Sequence, residues 1–228
     1  MRAASLRAEL ETALVFKRRE WECVPSGIPA LDAAIGGLPR GAIIEIFGTP
    51  SSGKSSLALS ILAGRIENGE VCALVDGTDA FDPESGAAAG IDMRRLLWVR
   101  CRNLDQVLRS TDLLIQGGGF GAIALDLSDL PQQSIRNVPL AVWFRFQRVV
   151  ENTPTLLLLI GRESAAKSAA AVVLRASSRH ARWTGLESAP SHGLLLAQAE
   201  LEFDVVRIRH VSCRTPRIHH DVRMHACS

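Results

Sequence analysis

The hydrophobic residues of this chain fall into two patterns. One is a series of short apolar runs, Ala42–Phe47, Val71–Val75, Leu96–Val99, Ala122–Leu125 and Thr155–Ile160. Each is too short for a helix, and all but Leu96–Val99, which lies between arginines, abut Gly, Pro or Asp, so each predicts a buried strand. The other pattern has helical spacing. Leu57, Ile61, Leu62 and Ile66 put one apolar face on Ser55–Ile66. Leu104, Val107, Leu108, Leu114 and Ile115 line a helix that stops at Gly117-Gly118-Gly119. Val142, Phe146, Val149 and Val150 do the same for Gln132–Glu151, where Pro139 either sits near the first turn or kinks the helix. A shorter helix over Ile28–Ile35 is opened by Ser26 or Asp32 and ended by Gly36-Gly37. Leu6, Leu10 and Leu14 mark an amphipathic helix at the N-terminus, followed by Lys17-Arg18-Arg19. Trp21–Gly27 reads as a linker. Strands alternating with helices predict an α/β fold whose central sheet is mostly parallel and flanked by helices. Val172–Leu174, Leu194–Leu196 and Phe203–Ile208 have no helices between them, which predicts an antiparallel extension at one edge.

Composition sharpens this picture in three places. At 47% hydrophobic residues over 228 positions, the chain can bury one substantial core. No apolar run reaches membrane-spanning length, and the first residues lack the apolar core of a signal peptide, so a cytoplasmic protein is expected. Charge is unevenly spread. Residues 1–130 carry 13 Lys/Arg against 17 Asp/Glu, whereas residues 131–228 carry 13 against 7. The five cysteines form no Cys-x-x-Cys pair, and reduced thiols are the expectation. Cys213, Cys227, His219, His220 and His225 share the tail, in a spacing that matches no standard zinc pattern. The last residues, rich in Arg and His, read as a disordered basic tail.

The chemistry concentrates in Gly48-Thr49-Pro50-Ser51-Ser52-Gly53-Lys54-Ser55, with Ser56 following. This fits G-x-x-x-x-G-K-[ST], the P-loop, between a strand and a helix as that motif requires. The glycines let backbone N–H groups converge on phosphate oxygens, and Lys54 brings a point charge to the outer phosphates. Ser55 offers a hydroxyl to Mg²⁺ at a helix N-terminus that already favours anions. ATP or ADP with Mg²⁺ is therefore the expected ligand. A second acid near the metal is expected at the end of an apolar strand, and Asp126 fits, with Asp76 ending a neighbouring strand.

Three stretches together resemble the RecA family ATPase core. They are Pro25-Ser26-Gly27-Ile28-Pro29-Ala30-Leu31-Asp32, Gly36-Gly37-Leu38-Pro39-Arg40-Gly41 with Glu45-Ile46-Phe47-Gly48, and Asp76-Gly77-Thr78-Asp79-Ala80-Phe81-Asp82-Pro83. With Asp126, the similarity covers roughly Ser26–Gly161. It implies a RecA-type P-loop NTPase fold, ATP with Mg²⁺ and a role near DNA repair. On that resemblance the chain divides into an N-terminal helix at 1–20, a RecA-like nucleotide-binding domain at 21–210 and a basic tail at 211–228. It also implies that Asp82 contacts adenine.

The departures from the family pattern matter as much. Thr78 stands where the resemblance implies a glutamate that activates the attacking water, and a hydroxyl is no base at neutral pH. Asp79 and Glu163 are the only nearby acids that could substitute. Ser85 replaces a stacking tyrosine, and Gly161-Arg162 replaces a phosphate-sensing glutamine. The two loops that contact DNA in the family are reduced to Ser128–Asn137 and Glu163–Ala171. This combination is similar to ImuA-type accessory proteins of translesion synthesis. It implies an ATP-binding accessory role in damage-induced repair, at most weak hydrolysis, weak contact with single-stranded DNA, and error-prone polymerase or related repair proteins as partners. The N-terminal helix is expected to serve self-association or to pack on its own domain. Two alternatives stay open: a DNA-dependent ATPase forming filaments on single strands, and a RecA-fold regulatory NTPase outside repair.

Overall fold

The computed structural model describes residues 21–184, 195–209 and 217–222. The N-terminal helix expected before residue 21 lies outside them. The chain opens with β1 (Cys23–Val24), which pairs antiparallel with β2 (Leu38–Pro39). The expected linker Trp21–Gly27 is thus partly a strand, and Val24 and Ser26 are buried. Between β1 and β2 lies α1 (Pro29–Ile35). Neither Ser26 nor Asp32 caps it: Ile28 occupies the N-cap position with no side-chain cap. Pro29 has no N–H to satisfy and a φ already suited to a helix start, so less capping is needed. Instead, the Asp32 carboxylate accepts the Ser26 N–H at 2.8 Å and the Ser26 hydroxyl accepts the Ile28 N–H at 3.2 Å. Gly36 ends the helix in the left-handed region, φ 75°.

Then follow β3 (Ala42–Gly48), α2 (Lys54–Glu67), β4 (Cys72–Asp76), α3 (Pro83–Ala88), β5 (Leu96–Arg100), α4 (Leu104–Gly117) and β6 (Ala122–Asp126). The expected helix over Gln132–Glu151 is two helices, α5 (Gln132–Arg136) and α6 (Leu140–Val150). Pro139, at ψ 137°, is the break. A proline also disfavours helical geometry in the residue before it. β7 (Leu156–Gly161) comes next.

The last three strands differ most from expectation. β8 runs Val172–Thr184 and β9 runs Leu195–Ile208, so two separately expected strands are one. The polar middle of this ribbon hid its extent. Register shifts near Val173, Ser178 and Arg182 also interrupt the alternation that marks a strand. β10 (Arg217–Val222) pairs with β9, inside the stretch expected to be a disordered tail. Backbone pairing at a free sheet edge needs little apolar sequence, which is why composition missed it.

The main sheet has the order β10-β9-β8-β3-β7-β6-β4-β5. β8 through β5 are parallel, and β9 and β10 add the antiparallel extension. Strand side chains alternate between two apolar layers. Ile44, Ile46, Leu74 and Leu158 pack under α1 and α2, where Leu31, Leu57, Ile61 and Leu62 are fully buried. Ile43, Val75, Leu125 and Leu157 pack under α4 and α6, against Val107, Trp143 and Phe146. Burial on both faces explains why the central strands read as continuous apolar runs. Among the described residues no helix is long and apolar enough to cross a membrane.

Candidate nucleotide-binding site

Parallel strands bring the ends of β3, β7, β6 and β4 to one edge of the sheet. There the loop from Gly48 to Ser55 leaves β3 and enters α2. Gly53 is the N-cap of α2 at φ 85° and Ser51 also has positive φ, 61°. A Cβ on Gly48 would lie 2.3 Å from the Ala176 carbonyl oxygen, and one on Gly53 would lie 2.3 Å from Leu201 Cδ1. The β8 backbone therefore demands glycine at 48, while at 53 the positive φ demands it and Leu201 of β9 packs against the turn. Sequence reasoning missed this, because nothing local to the motif names Leu201. Lys54 is buried, and its ammonium donates to the Thr49 carbonyl at 3.1 Å. Burial lowers its pKa, Asp126 and Asp129 oppose that shift, and Arg162 adds to it.

A cleft of about 350 Å³ opens beside the loop. Pro50, Ser51, Lys54 and Ser55 line one side, Asp126, Ser128 and Asp129 another, and Phe81, Asp82 and Ser85 a third. Ala58, Leu59, Leu62, Leu74, Ala80 and Ile160 add apolar surface, and Asp76 completes it. Ser56 is exposed on α2 and does not line it. Asp126, at the end of β6, accepts the Ser128 N–H at 2.8 Å. Burial raises its pKa, helped by nearby Asp76 and opposed by Ser128 and Lys54. An ionised Asp126 is thus costly by itself, and a divalent cation beside it would remove the cost. Ser55 and Asp126, which both line the cleft, fit Mg²⁺, and Lys54 with the loop N–H groups fits phosphate.

Asp76, at the end of β4, has a different task. Its carboxylate accepts the Thr78 N–H (3.0 Å) and hydroxyl (3.1 Å), the Ala80 and Phe81 N–H groups (3.4 and 3.1 Å) and the Trp98 indole N–H (3.2 Å). Burial pushes its pKa up, but these donors outweigh it and leave the pKa lowered. Thr78 is therefore a ligand of Asp76 and is not a cleft-lining residue. Asp79 turns away at φ 54° into a two-point ion pair with Arg100, whose guanidinium stacks over Trp98. Trp98 in turn packs edge-on against Phe81, with ring centroids 5.3 Å apart. Asp79 does not line the cleft either. Asp82 does, but as the N-cap of α3: it accepts the Ser85 hydroxyl at 2.5 Å and N–H at 2.9 Å. The first of these bonds is the main cause of its lowered pKa.

The end of β7 holds Arg162, which donates to the Ser128 carbonyl and pairs with Asp129. Glu163 makes a two-point pair with Arg136 of α5, outside the cleft. Behind it, Glu45 is buried in β3 and accepts the Ser164 hydroxyl (2.6 Å) and the N–H groups of Ala165 and Ala166. The segments after β6 and β7 are thus folded and tied to each other and to β3. A charged residue inside the apolar run Ile44-Glu45-Ile46 was the sequence signal for that anchor.

A parallel sheet with a glycine-rich P-loop, a buried lysine and an acid on a neighbouring strand end defines a P-loop NTPase fold of the α/β class. The RecA N-terminal domain family model matches residues 13–133, and the chain belongs to that family. The chain is 40% identical over 109 residues to Protein RecA of Brucella anthropi, a match covering 47% of the chain and 30% of the relative. It is 41% identical over 105 residues to Protein RecA of Cutibacterium acnes, covering 45% and 30%. The matched segment thus spans under a third of either relative. A solved KaiC-like protein from Pyrococcus horikoshii OT3 shares the fold at a TM-score of 0.62 and 18% identity, over 87% of this chain and 94% of that one.

Proposed function

We propose that this RecA-family protein binds ATP or ADP with Mg²⁺, hydrolyses ATP weakly or not at all, and acts as an accessory factor in DNA damage tolerance, as ImuA-type proteins do. The observation that carries this reading is the state of the acids around the cleft. Thr78 is neutral and bonded to Asp76, Asp79 is held by Arg100, and Glu163 is held by Arg136. Neither Asp79 nor Glu163, the two acids considered as substitutes for the base, is therefore left to take a proton from an attacking water. The phosphate loop, Lys54, Ser55 and Asp126 meanwhile support binding, and Asp82 remains on the cleft wall to meet a base. The closed loops after β6 and β7 support weak contact with single-stranded DNA and a role carried by protein partners.

Titration calorimetry with Mg²⁺ nucleotides tests the first part. Lys54→Ala should weaken binding by about tenfold or more, the loss of a charge-assisted contact. Absence of binding by the parent protein would overturn the reading. Steady-state phosphate release tests the second. Turnover should be slow and little changed by single-stranded DNA. Thr78→Glu should raise it, since a carboxylate returns to that position. Strong DNA-stimulated hydrolysis by the parent protein would favour the filament-forming alternative. Affinity capture from DNA-damaged cells should recover error-prone polymerase components; recovery of unrelated signalling proteins would favour a regulatory NTPase.

A further inference from the structure

A second pocket lies away from the nucleotide cleft, where the turn between α5 and α6 meets the segment after β7. Pro139 breaks the helix there, with apolar Val138 and Leu140 on either side of it in sequence. Both line the pocket together with Ile135 and Ala165, and Arg136 and Lys167 add charge. Its volume is about 70 Å³. Small-molecule sites start at about 300 Å³, so the space suits one aliphatic side chain and excludes a nucleotide. Leu140 is 38% exposed although it lines the pocket. The walls are held from behind. Buried Glu45 of β3 accepts the Ser164 hydroxyl and the N–H groups of Ala165 and Ala166. Arg207 of β9 donates to the Lys167 carbonyl, and Arg136 fastens α5 to Glu163. A pocket fixed in this way loses little freedom when a partner enters.

We propose that this pocket docks an acidic segment of a protein partner, with one aliphatic side chain seated among Ile135, Val138, Leu140 and Ala165 and flanking carboxylates drawn to Lys167 and its neighbouring arginines. Charge selects the occupant. Arg136 and Glu163 neutralise each other, whereas the exposed Lys167 ammonium has no ion-pair partner among the described residues. Arg207, bonded to the Lys167 backbone, adds a further cation beside it. Carboxylates on a partner complement this surplus, which favours encounter and register. A nucleic acid fits less well. Among the described residues no aromatic side chain lines the pocket, so a base has nothing to stack on. The aliphatic hole rewards a side chain and offers nothing to a phosphate backbone. This surface gives the partner role proposed above a place on the molecule. It shares no residue with the nucleotide cleft, so either reading can fail without the other.

The test is fluorescence anisotropy on the full chain with labelled probes: a short peptide of Asp and Glu around one central leucine, the same peptide with alanine for the leucine, and an oligodeoxythymidine. The leucine peptide should bind, and the alanine peptide should bind about tenfold more weakly, through loss of one buried aliphatic side chain. Lys167→Glu, at an exposed position, should weaken the leucine peptide about fivefold with an unchanged circular dichroism spectrum. Ala165→Leu, which fills the pocket from its own wall, should erase the difference between the two peptides. If Ala165→Leu does not fold, Leu140→Ser takes its place and should narrow that difference about threefold. No binding of the leucine peptide by the parent protein, or equal binding of both peptides, overturns the proposal. So does peptide binding that neither Lys167→Glu nor the pocket variant changes. Binding of the oligodeoxythymidine that Lys167→Glu weakens, without preference between the peptides, overturns it too and assigns the surface to nucleic acid.

Discussion

Asp76 and Asp126 end adjacent parallel strands at the same register, and each follows an apolar run. Their surroundings could hardly differ more. Asp76 meets five donors from its own loop and from Trp98, and its pKa is lowered. Asp126 meets the N–H of Ser128 and otherwise a buried, partly acidic environment, and its pKa is raised. One carboxylate is consumed in building the loop that carries Thr78 and Asp79. The other is left with a charge it cannot settle from within the protein. The difference separates an acid that supports the fold from an acid that awaits a cation, and it separates nucleotide holding from water activation in the same cleft.

The contrast can be broken by substitution. The largest effect is expected from Asp76→Ala, which leaves the Thr78, Phe81 and Trp98 donors without an acceptor. A loss of about 3 kcal/mol or more follows from buried donors left unpaired, measurable by denaturant unfolding. Asp126→Asn should act oppositely, raising the melting temperature of the ligand-free protein near neutral pH. The sign follows from the shifts. Asp126, with a raised native pKa, contributes stability below its ordinary pKa and loses it as pH rises through the native one. Asp76, with a lowered native pKa, contributes stability above its ordinary pKa and loses it as pH falls through the native one. Melting curves across pH should therefore show Asp76→Asn flattening the acid limb. With Mg²⁺ nucleotide present, Asp126→Asn should fall behind the parent protein, because ligand stabilisation is lost. The smallest effect is Thr78→Val, which removes one of the five donors at a cost of about 1 kcal/mol. If Thr78→Val equals Asp76→Ala in cost, the hub is the threonine and not the aspartate.

The sheet, its parallel core, the antiparallel edge and the phosphate loop were legible because local periodicity and a spaced motif encode them. The two aspartates were not distinguishable, since both close an apolar strand. What separates them is the path of the chain from Gly77 to Phe81 and the position of Trp98 on the next strand. Asp79 and Glu163 read as free acids in sequence and prove to be paired, because their partners Arg100 and Arg136 lie far along the chain. Arg162 was legible as a departure from the family pattern, but its pairing with Asp129 escaped for the same reason. The extent of β8 and β9 escaped because bulges break the period by which strands are recognised.

The contact of Leu201 with Gly53 has a kinetic meaning. The side chain that packs on the glycine turn of the phosphate loop comes from β9, and the carbonyl that packs on Gly48 from β8, both far later in the sequence than the loop. Contacts between such distant segments close late in folding. The motif should therefore exist in sequence well before it exists as a shaped receptor. A chain that ends before β8 keeps every residue of the loop, Asp126 and Asp82, and should still bind Mg²⁺ nucleotide poorly by calorimetry. Nucleotide competence would then serve as a signal that the whole domain, through its last strands, has folded.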